Sequence, residues 1–364
     1  MRLSRREWIA GSAVTIGAAL PFLSTTAALA ADAPYELPLA MVHPELRATL
    51  PMILKYAPGR GGLSGAMLAQ ARKAMSGKGP FSQPLLTDVP WERRIIPVGK
   101  GQPDVPIYII NAKAGANRPA ILHTHGGGYV MGTAESGLRG LQDICKKLDC
   151  VAVSVDYRLA PETNYKGSIE DNYAGLKWLH ANAASIGADP AKIAVMGESA
   201  GGGHAAILAI TARDRGEVPL CFQCLIYPML DDRTGSSVVK PPFVGTIIWT
   251  PESNRFGWES FLGQKPGLAR APLPAVPARV SDLKGLPPAF IGVGTLDLFC
   301  DEDVDYAQRL NAAGVPTELI VVPGAFHGFD GIALMAKAKL GTWFEETKLN
   351  ALRRGFGQPP ESKD

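Results

Sequence analysis

The chain has 364 residues, of which 46% are hydrophobic and 20% charged, enough to bury a sizeable core in one large globular domain with an accessory piece. Lys and Arg total 37 against 34 Asp and Glu, a formal net charge of +3. That balance, with no basic run and no stripe of alternating aromatic and basic residues, argues against a nucleic-acid partner.

Residues 1–30 have the order of an export signal. Arg5 and Arg6 follow Ser4, a moderately apolar stretch runs from Trp8 to Leu23, and Ala28-Leu29-Ala30 precedes Ala31. The paired arginines resemble a bacterial twin-arginine signal, with cleavage expected after Ala30 and the mature protein in the periplasm. The apolar run is short and carries Pro21, so no stable membrane anchor is expected. Removing residues 1–30 leaves 34 basic against 33 acidic residues, a near-neutral protein. The five cysteines, Cys145, Cys150, Cys221, Cys224 and Cys300, are odd in number and scattered, unlike a disulfide framework. Cys221 and Cys224 lie in the apolar run LCFQCLIYPML, where positions three apart on a strand diverge, so they read as core residues and not as a metal pair.

Residues 31–90 carry Pro, Gly and Leu clusters and no strand run; they read as short helices and loops forming an N-terminal cap segment. From about residue 92, short β-branched runs alternate with helical patterns: RRIIPVG, VPIYIINA, AILHTHG, CVAVSVDY, KIAVMGE, CFQCLIYPML, AFIGVGTLD and ELIVVPG. Helix candidates lie between them, among them SGLRGLQDICKKL, EDNYAGLKWLHANA, GGGHAAILAITARD and DEDVDYAQRLNAAG. In the second, Tyr173, Leu176, Trp178 and Leu179 cluster on one face. The last has an acidic start, Asp301, Glu302 and Asp303, and ends at Gly314. The alternation predicts an α/β protein with a mostly parallel sheet covered by helices on both faces, built from residues 91–232 and 285–364. The stretch 233–284 interrupts it with Trp249, Phe256, Trp258 and Phe261; a loop of that length is functional or carries its own elements, and it reads as a cap insertion.

In open parallel sheets, ligands bind beyond the carboxyl ends of the strands. KIAVM is followed there by Gly197-Glu198-Ser199-Ala200-Gly201 and a helix, the strand-turn-helix setting of G-x-S-x-G. Small residues permit a tight turn that presents the Ser199 hydroxyl, and the helix N-terminus favours developing negative charge. AFIGVGT is followed by Asp297, and ELIVVPG by His327, which gives the hydrolase order Ser199, Asp297, His327. His327 is expected to take the serine proton, and Asp297 to fix the imidazole tautomer. Asp301 is the rival acid; it reads instead as a helix cap. AILHT is followed by His125-Gly126-Gly127-Gly128, whose Gly127 and Gly128 amides, with that of Ala200, are expected to form an oxyanion hole worth about 3 kcal/mol per donor. No carboxylate or third histidine lies near His123 and His125 in sequence, and no metal is expected.

HGGGYVMG, VSVDYRLAPE, GESAGGG, GTLDLFCDE and PGAFHGF, in this order over residues 90–345, resemble the hormone-sensitive-lipase family of α/β-hydrolase esterases. The resemblance implies an α/β-hydrolase fold with an eight-stranded sheet, a helical cap, no cofactor, and hydrolysis of short-chain acyl esters through an acyl-enzyme. It also favours Asp297 over Asp301, since the family's acid is the first aspartate of D-P-L-x-D-E. The chain departs from that pattern at Leu298 and Phe299 and in TNYKGSIED, at no catalytic position.

Glu198, beside the nucleophile, is not expected to serve as the triad acid, because adjacent side chains on a sharp turn point apart. His204 reads as a helix packing residue, and Tyr157, Arg158 and Glu162 as a turn supporting the site. The tryptophans and phenylalanines of the insertion are expected to line an apolar acyl or alcohol pocket. The reading is a periplasmic serine carboxylesterase acting on a small-molecule ester, whose activity falls on acidification as His327 gains a proton. Two other functions use the same residues differently: an amide, carbamate or lactone hydrolase, or a binding protein on a hydrolase fold, which His327 disfavours. Nothing in the sequence fixes the oligomeric state; a homodimer is compatible with it.

Overall fold

The computed structural model describes residues 38–56, 61–76, 83–99 and 101–359. The expected export signal at 1–30 lies outside them. Each of the eight apolar runs supplies one strand: β1 Trp91–Ile96, β2 Val105–Ile110, β3 Arg118–Thr124, β4 Val151–Val155, β5 Ala188–Glu198, β6 Phe222–Ile226, β7 Ala289–Gly294 and β8 Thr317–Val322. They form a single sheet in the order β1-β2-β4-β3-β5-β6-β7-β8. Only β2 runs against its neighbours; from β4 to β8 every pairing is parallel.

The helices are α1 Leu50–Tyr56, α2 Leu68–Ala74, α3 Leu138–Leu148, α4 Tyr165–Ala181, α5 Ala200–Arg215, α6 Pro251–Leu262, α7 Cys300–Ala312, α8 Phe329–Met335 and α9 Lys339–Gly355, with a one-turn helix at Ala183–Ile186. Strand side chains alternate between the two faces, so the sheet builds two cores. Ile121, Met196, Cys224 and Phe290 pack with α3, α8 and α9 residues such as Leu141, Phe329 and Phe344. Leu122, Val153, Val195 and Ile291 pack on the other side with Leu176 of α4, Leu208 of α5 and Leu310 of α7.

Local details depart from the sequence reading. α4 starts at Tyr165, five residues before EDNYAGLKWLHANA, because the Asn164 side chain accepts a hydrogen bond from Lys166 N at 3.1 Å and caps the polar lead-in. Tyr173, Leu176 and Leu179 are buried as expected, but Trp178 is only half-buried and lies under the Arg94 guanidinium, 5.3 Å from its carbon. All five cysteines are free, and Cys221 and Cys300 are only partly buried. Cys221 stands just before β6 and Cys224 within it, so the two do not share one strand environment.

The stretches expected to form a cap pack on each other. Leu63 N donates to Ser253 Oγ of α6 at 2.9 Å, and Leu63 and Leu68 share one apolar cluster with Trp249, Trp258 and Phe261. No helix among the described residues is long and apolar enough to cross a membrane.

Candidate active site

Parallel register brings the carboxyl ends of the central strands level: Thr124 of β3 pairs with Gly197 of β5, Glu198 with Ile226 of β6, and Gly294 of β7 with Val322 of β8. The loops that leave those ends carry the predicted residues.

Between β5 and α5, Ser199 has φ +57° and ψ −125°, a conformation that L-residues rarely adopt. The flanking glycines explain how the turn closes. A Cβ on Gly197 would lie 2.4 Å from the carbonyl carbon of Gly201, and one on Gly201 would lie 2.0 Å from Thr124 O. Only hydrogen fits at either position.

Ser199, His327 and Asp297 form one hydrogen-bonded row. Ser199 Oγ lies 2.9 Å from His327 Nε2, and His327 Nδ1 lies 2.8 Å from Asp297 Oδ2. The other oxygen, Asp297 Oδ1, accepts from Phe299 N at 3.0 Å. Asp297 is fully buried. The His327 ring meets Tyr227 and Phe299 at steep angles, with centroids 4.8 and 5.2 Å away, and the Tyr227 hydroxyl is held by Asp330 Oδ1 at 2.7 Å.

Asp301 is elsewhere. It is 77% exposed and pairs with Lys240 Nζ at 2.7 Å. Nor does it cap the helix as expected: the cap position falls to Phe299, and Asp301 sits in the first turn of α7. The next two acids face inward. Glu302 Oε1 accepts from Leu230 N at 2.7 Å and Asp231 N at 3.1 Å, and burial pushes the carboxyls of Glu302 and Asp303 well above the usual range.

The loop after β3 runs beside the nucleophile. A Cβ on Gly126 would lie 3.5 Å from Ser199 Cβ. Gly127 and Gly128 have φ of +125° and +60°, and each lacks room for a side chain, against Met131 O and the Trp249 indole respectively. Ala200 is the first residue of α5, where the backbone N–H has no partner within the helix. The three amides expected to hold an oxyanion thus belong to two loops that converge at Ser199.

Behind that loop, the Tyr157 hydroxyl donates to His125 O at 2.6 Å, and its ring stacks on the His125 imidazole at 4.2 Å. His125 Nδ1 faces Gly126 O at 2.9 Å, so the neutral ring donates there. Burial lowers the His125 imidazole to about 4 and that of His204 to about 3, which leaves both uncharged. His204 packs edge-on against Tyr129, Tyr157 and Phe261, as a packing residue does. Arg158 is engaged by Asp171 through three hydrogen bonds of 2.8 to 2.9 Å. Glu162 takes a two-pronged bond from Arg72 of α2, which also donates to Val130 O at 2.8 Å and ties the N-terminal stretch to the loop after β3. His123 Nε2 meets Glu198 at 3.0 Å while His125 faces Tyr157, so the two histidines turn to different partners.

The insertion aromatics do not act as one pocket lining. Trp258 and Phe261 are fully buried and pack on Tyr129, a backing for the loop after β3. Phe256 faces Gly65 of the N-terminal stretch. Trp249 alone of the four presses on Gly128. The sequence offered its aromatic character but no sign of that position, since the contact joins residues 121 apart.

An eight-stranded α/β sheet with a serine, a histidine and an aspartate aligned at its strand ends defines a serine hydrolase. The pattern of the alpha/beta hydrolase fold family matches residues 121–331, and the chain belongs to that family. It is 39% identical over 227 residues to "Carboxylesterase NlhH" of Mycobacterium tuberculosis, covering 61% of this chain and 70% of the relative. Among solved structures it is similar to "Bacterial Heroin Esterase", with a TM-score of 0.78 and 35% identity over 87% of this chain and 99% of that one. It is also similar to esterase LipW from Mycobacterium marinum, with a TM-score of 0.73 and 32% identity over 87% of this chain and 97% of that one. The protein is a serine carboxylesterase of the hormone-sensitive-lipase type, and its substrate is a small-molecule ester.

Proposed function

We propose that Ser199 is the nucleophile, His327 the general base and acid, and Asp297 the residue that orients it, in the hydrolysis of short-chain acyl esters. The observation that carries this is the unbroken row of contacts, 2.9 Å from Ser199 to His327 and 2.8 Å from His327 to Asp297, beside a loop with no side chains at Gly126, Gly127 and Gly128. Ser199 Oγ attacks the ester carbonyl as His327 Nε2 takes its proton. The carbonyl oxygen becomes an oxyanion held by the Gly127, Gly128 and Ala200 amides, each worth about 3 kcal/mol in the transition state. His327 then gives the proton to the departing alkoxide, which leaves Ser199 acylated. A water, deprotonated by His327, releases the acid and restores the serine.

The same reading places the mature enzyme in the periplasm, supported by the order Arg5-Arg6, apolar stretch, Ala28-Leu29-Ala30. Replacing Arg5 and Arg6 by lysines in the full chain should leave precursor in the cytoplasm; unchanged export would overturn the twin-arginine route. For the chemistry, a series of p-nitrophenyl esters from acetyl to long acyl chains is offered to the enzyme and to Ser199→Ala. Turnover that peaks at short chains and vanishes in the variant is expected. A folded wild type with no turnover at any length would overturn the short-chain assignment.

A further inference from the structure

Within the insertion between β6 and β7, the segment 245–249 touches each of the three loops that carry the chemistry. Gly245 N donates to Leu296 O at 3.0 Å, and a Cβ on Gly245 would lie 2.9 Å from Leu298 Cδ1, so this point is seated on the Asp297 loop. A Cβ on Gly328 would lie 3.6 Å from Ile248 Cδ1, which puts the Ile248 side chain against the loop that carries His327, at the next residue. A Cβ on Gly128 would lie 2.0 Å from Trp249 Cη2 and 2.6 Å from Cζ2, so the six-membered ring of the indole rests on the backbone of Gly128 itself.

This arrangement depends on an unusual turn. Trp249 N donates back to Ile247 O at 2.8 Å, and Ile248 between them has φ +66°. That is a γ-turn of the rare, left-handed kind, formed at a β-branched residue for which the conformation is a genuine outlier. It is what sends two consecutive side chains to different places, Ile248 toward Gly328 and Trp249 toward Gly128. The indole is then locked: its Nε1 donates to Asn254 Oδ1 at 3.0 Å, and buried Asn254 donates in turn to Thr234 O at 2.8 Å. From the other side, α6 closes in at Gly257, where a Cβ would lie 2.6 Å from Gly128 O.

Which arm of an ester meets which residue follows from the proton transfer. The departing alkoxide must reach His327 Nε2 for its proton, so the alcohol arm lies on the His327 side, where Ile248 stands. The acyl arm, bonded to Ser199, extends the other way, past Gly128 and Trp249. We propose that Trp249, held by the Ile247–Trp249 γ-turn and by Asn254, is the wall that limits the acyl chain. Trp249 is a specificity residue and takes no part in bond making. The inference rests on the assignment of Ser199 and His327 given above.

The test compares kcat/KM for p-nitrophenyl acetate through decanoate in wild type, Trp249→Ala, Trp249→Phe and Asn254→Ala, with folding checked by circular dichroism. Trp249→Ala should raise the octanoate-to-acetate ratio by about tenfold or more, the span a pocket gains from added methylene contacts. Trp249→Phe, which keeps a ring in the buried site, and Asn254→Ala, which frees the indole without removing it, should shift the ratio in the same direction by less. An equal fall at every chain length in Trp249→Ala and Trp249→Phe would overturn the wall, leaving the indole a mere support for Gly128. A change confined to a series of acetate esters with alcohols of increasing size would overturn the assignment of the acyl arm. Wild-type turnover of p-nitrophenyl acetate tests the esterase assignment by itself, since the wall is read only from the ratio between chains.

Discussion

Glu198, the residue immediately before Ser199, accepts a hydrogen bond from His123 Nε2 at 3.0 Å, while His123 Nδ1 lies 2.9 Å from Ser154 Oγ. The elbow therefore sends Ser199 toward His327 and its neighbour back toward β3 and β4. Burial opposes charge on Glu198, but His123 and Lys348 outweigh it and hold the carboxyl below its usual range. The bond fastens the carboxyl end of β5 to the strand that leads into the loop of Gly126, Gly127 and Gly128. Glu198→Ala leaves the His123 nitrogen, on a residue only 3% exposed, without its acceptor. The expected cost is about 1–3 kcal/mol of stability, read from urea unfolding. Activity per folded molecule should change far less than on loss of Ser199.

Ser199 itself stores strain. Its φ of +57° and ψ of −125° suit glycine, and its backbone is held there by bonds from Ser199 N to Ile226 O at 2.9 Å and from Met229 N to Ser199 O at 3.0 Å. Ser199→Ala and Ser199→Gly should both lose about 10⁶-fold in kcat. The glycine variant should be the more stable of the two by about 1 kcal/mol, because it relaxes where alanine stays strained. Equal melting temperatures would show that the turn carries no net strain.

The two rival acids separate cleanly by mutation. Asp297→Asn keeps the shape of the row but leaves His327 in the wrong tautomer, and kcat should fall by about 10⁴-fold. Asp301→Asn removes a side chain that is 77% exposed and bonded to Lys240, so it should cost about 1 kcal/mol of stability at most and leave turnover near wild type. Steady-state kinetics of the pair decides between them.

What could be read beforehand was whatever local chemistry dictates. GESAG, HGGG, Asp297 and His327 each follow an apolar run, and a parallel sheet brings such positions to one edge, so the site assembled from punctuation alone. The cap of α7 is not legible in the same way, because sequence shows an acidic start without showing which residue first turns into the helix; Asp297 and Phe299, not Asp301, occupy that corner. Trp258 and Phe261 looked like pocket lining because composition cannot tell an aromatic facing a cavity from one filling a core. Ile248 was invisible for a deeper reason. Propensity gives a β-branched residue no left-handed turn, and only the packing of the Asp297, His327 and Gly128 loops around it imposes one.

The imidazoles of His125 and His204 make stability depend on pH with a definite sign. Burial holds them at about 4 and about 3, against an ordinary value near 6.5 that applies in the unfolded chain. Between those values the unfolded state binds protons that the folded state refuses. Stability is therefore fully present above about pH 6.5 and falls as pH drops toward the folded values of the two imidazoles, with His204, held the lower, losing it over the wider interval. The buried carboxyls of Glu302 and Asp303, pushed up, act in the opposite sense, so the histidine share has to be isolated by substitution. His204→Phe keeps an aromatic ring against Tyr129, Tyr157 and Phe261, and it forfeits no bond, since neither ring nitrogen of His204 has a hydrogen-bond partner among the described residues. The variant should match or exceed wild type at pH 7 and lose less stability on going to pH 4.5, when both are unfolded in urea. A variant with the same acid loss as wild type would show that His204 titrates alike in the folded and unfolded chain, and the burial argument for its neutrality would fail.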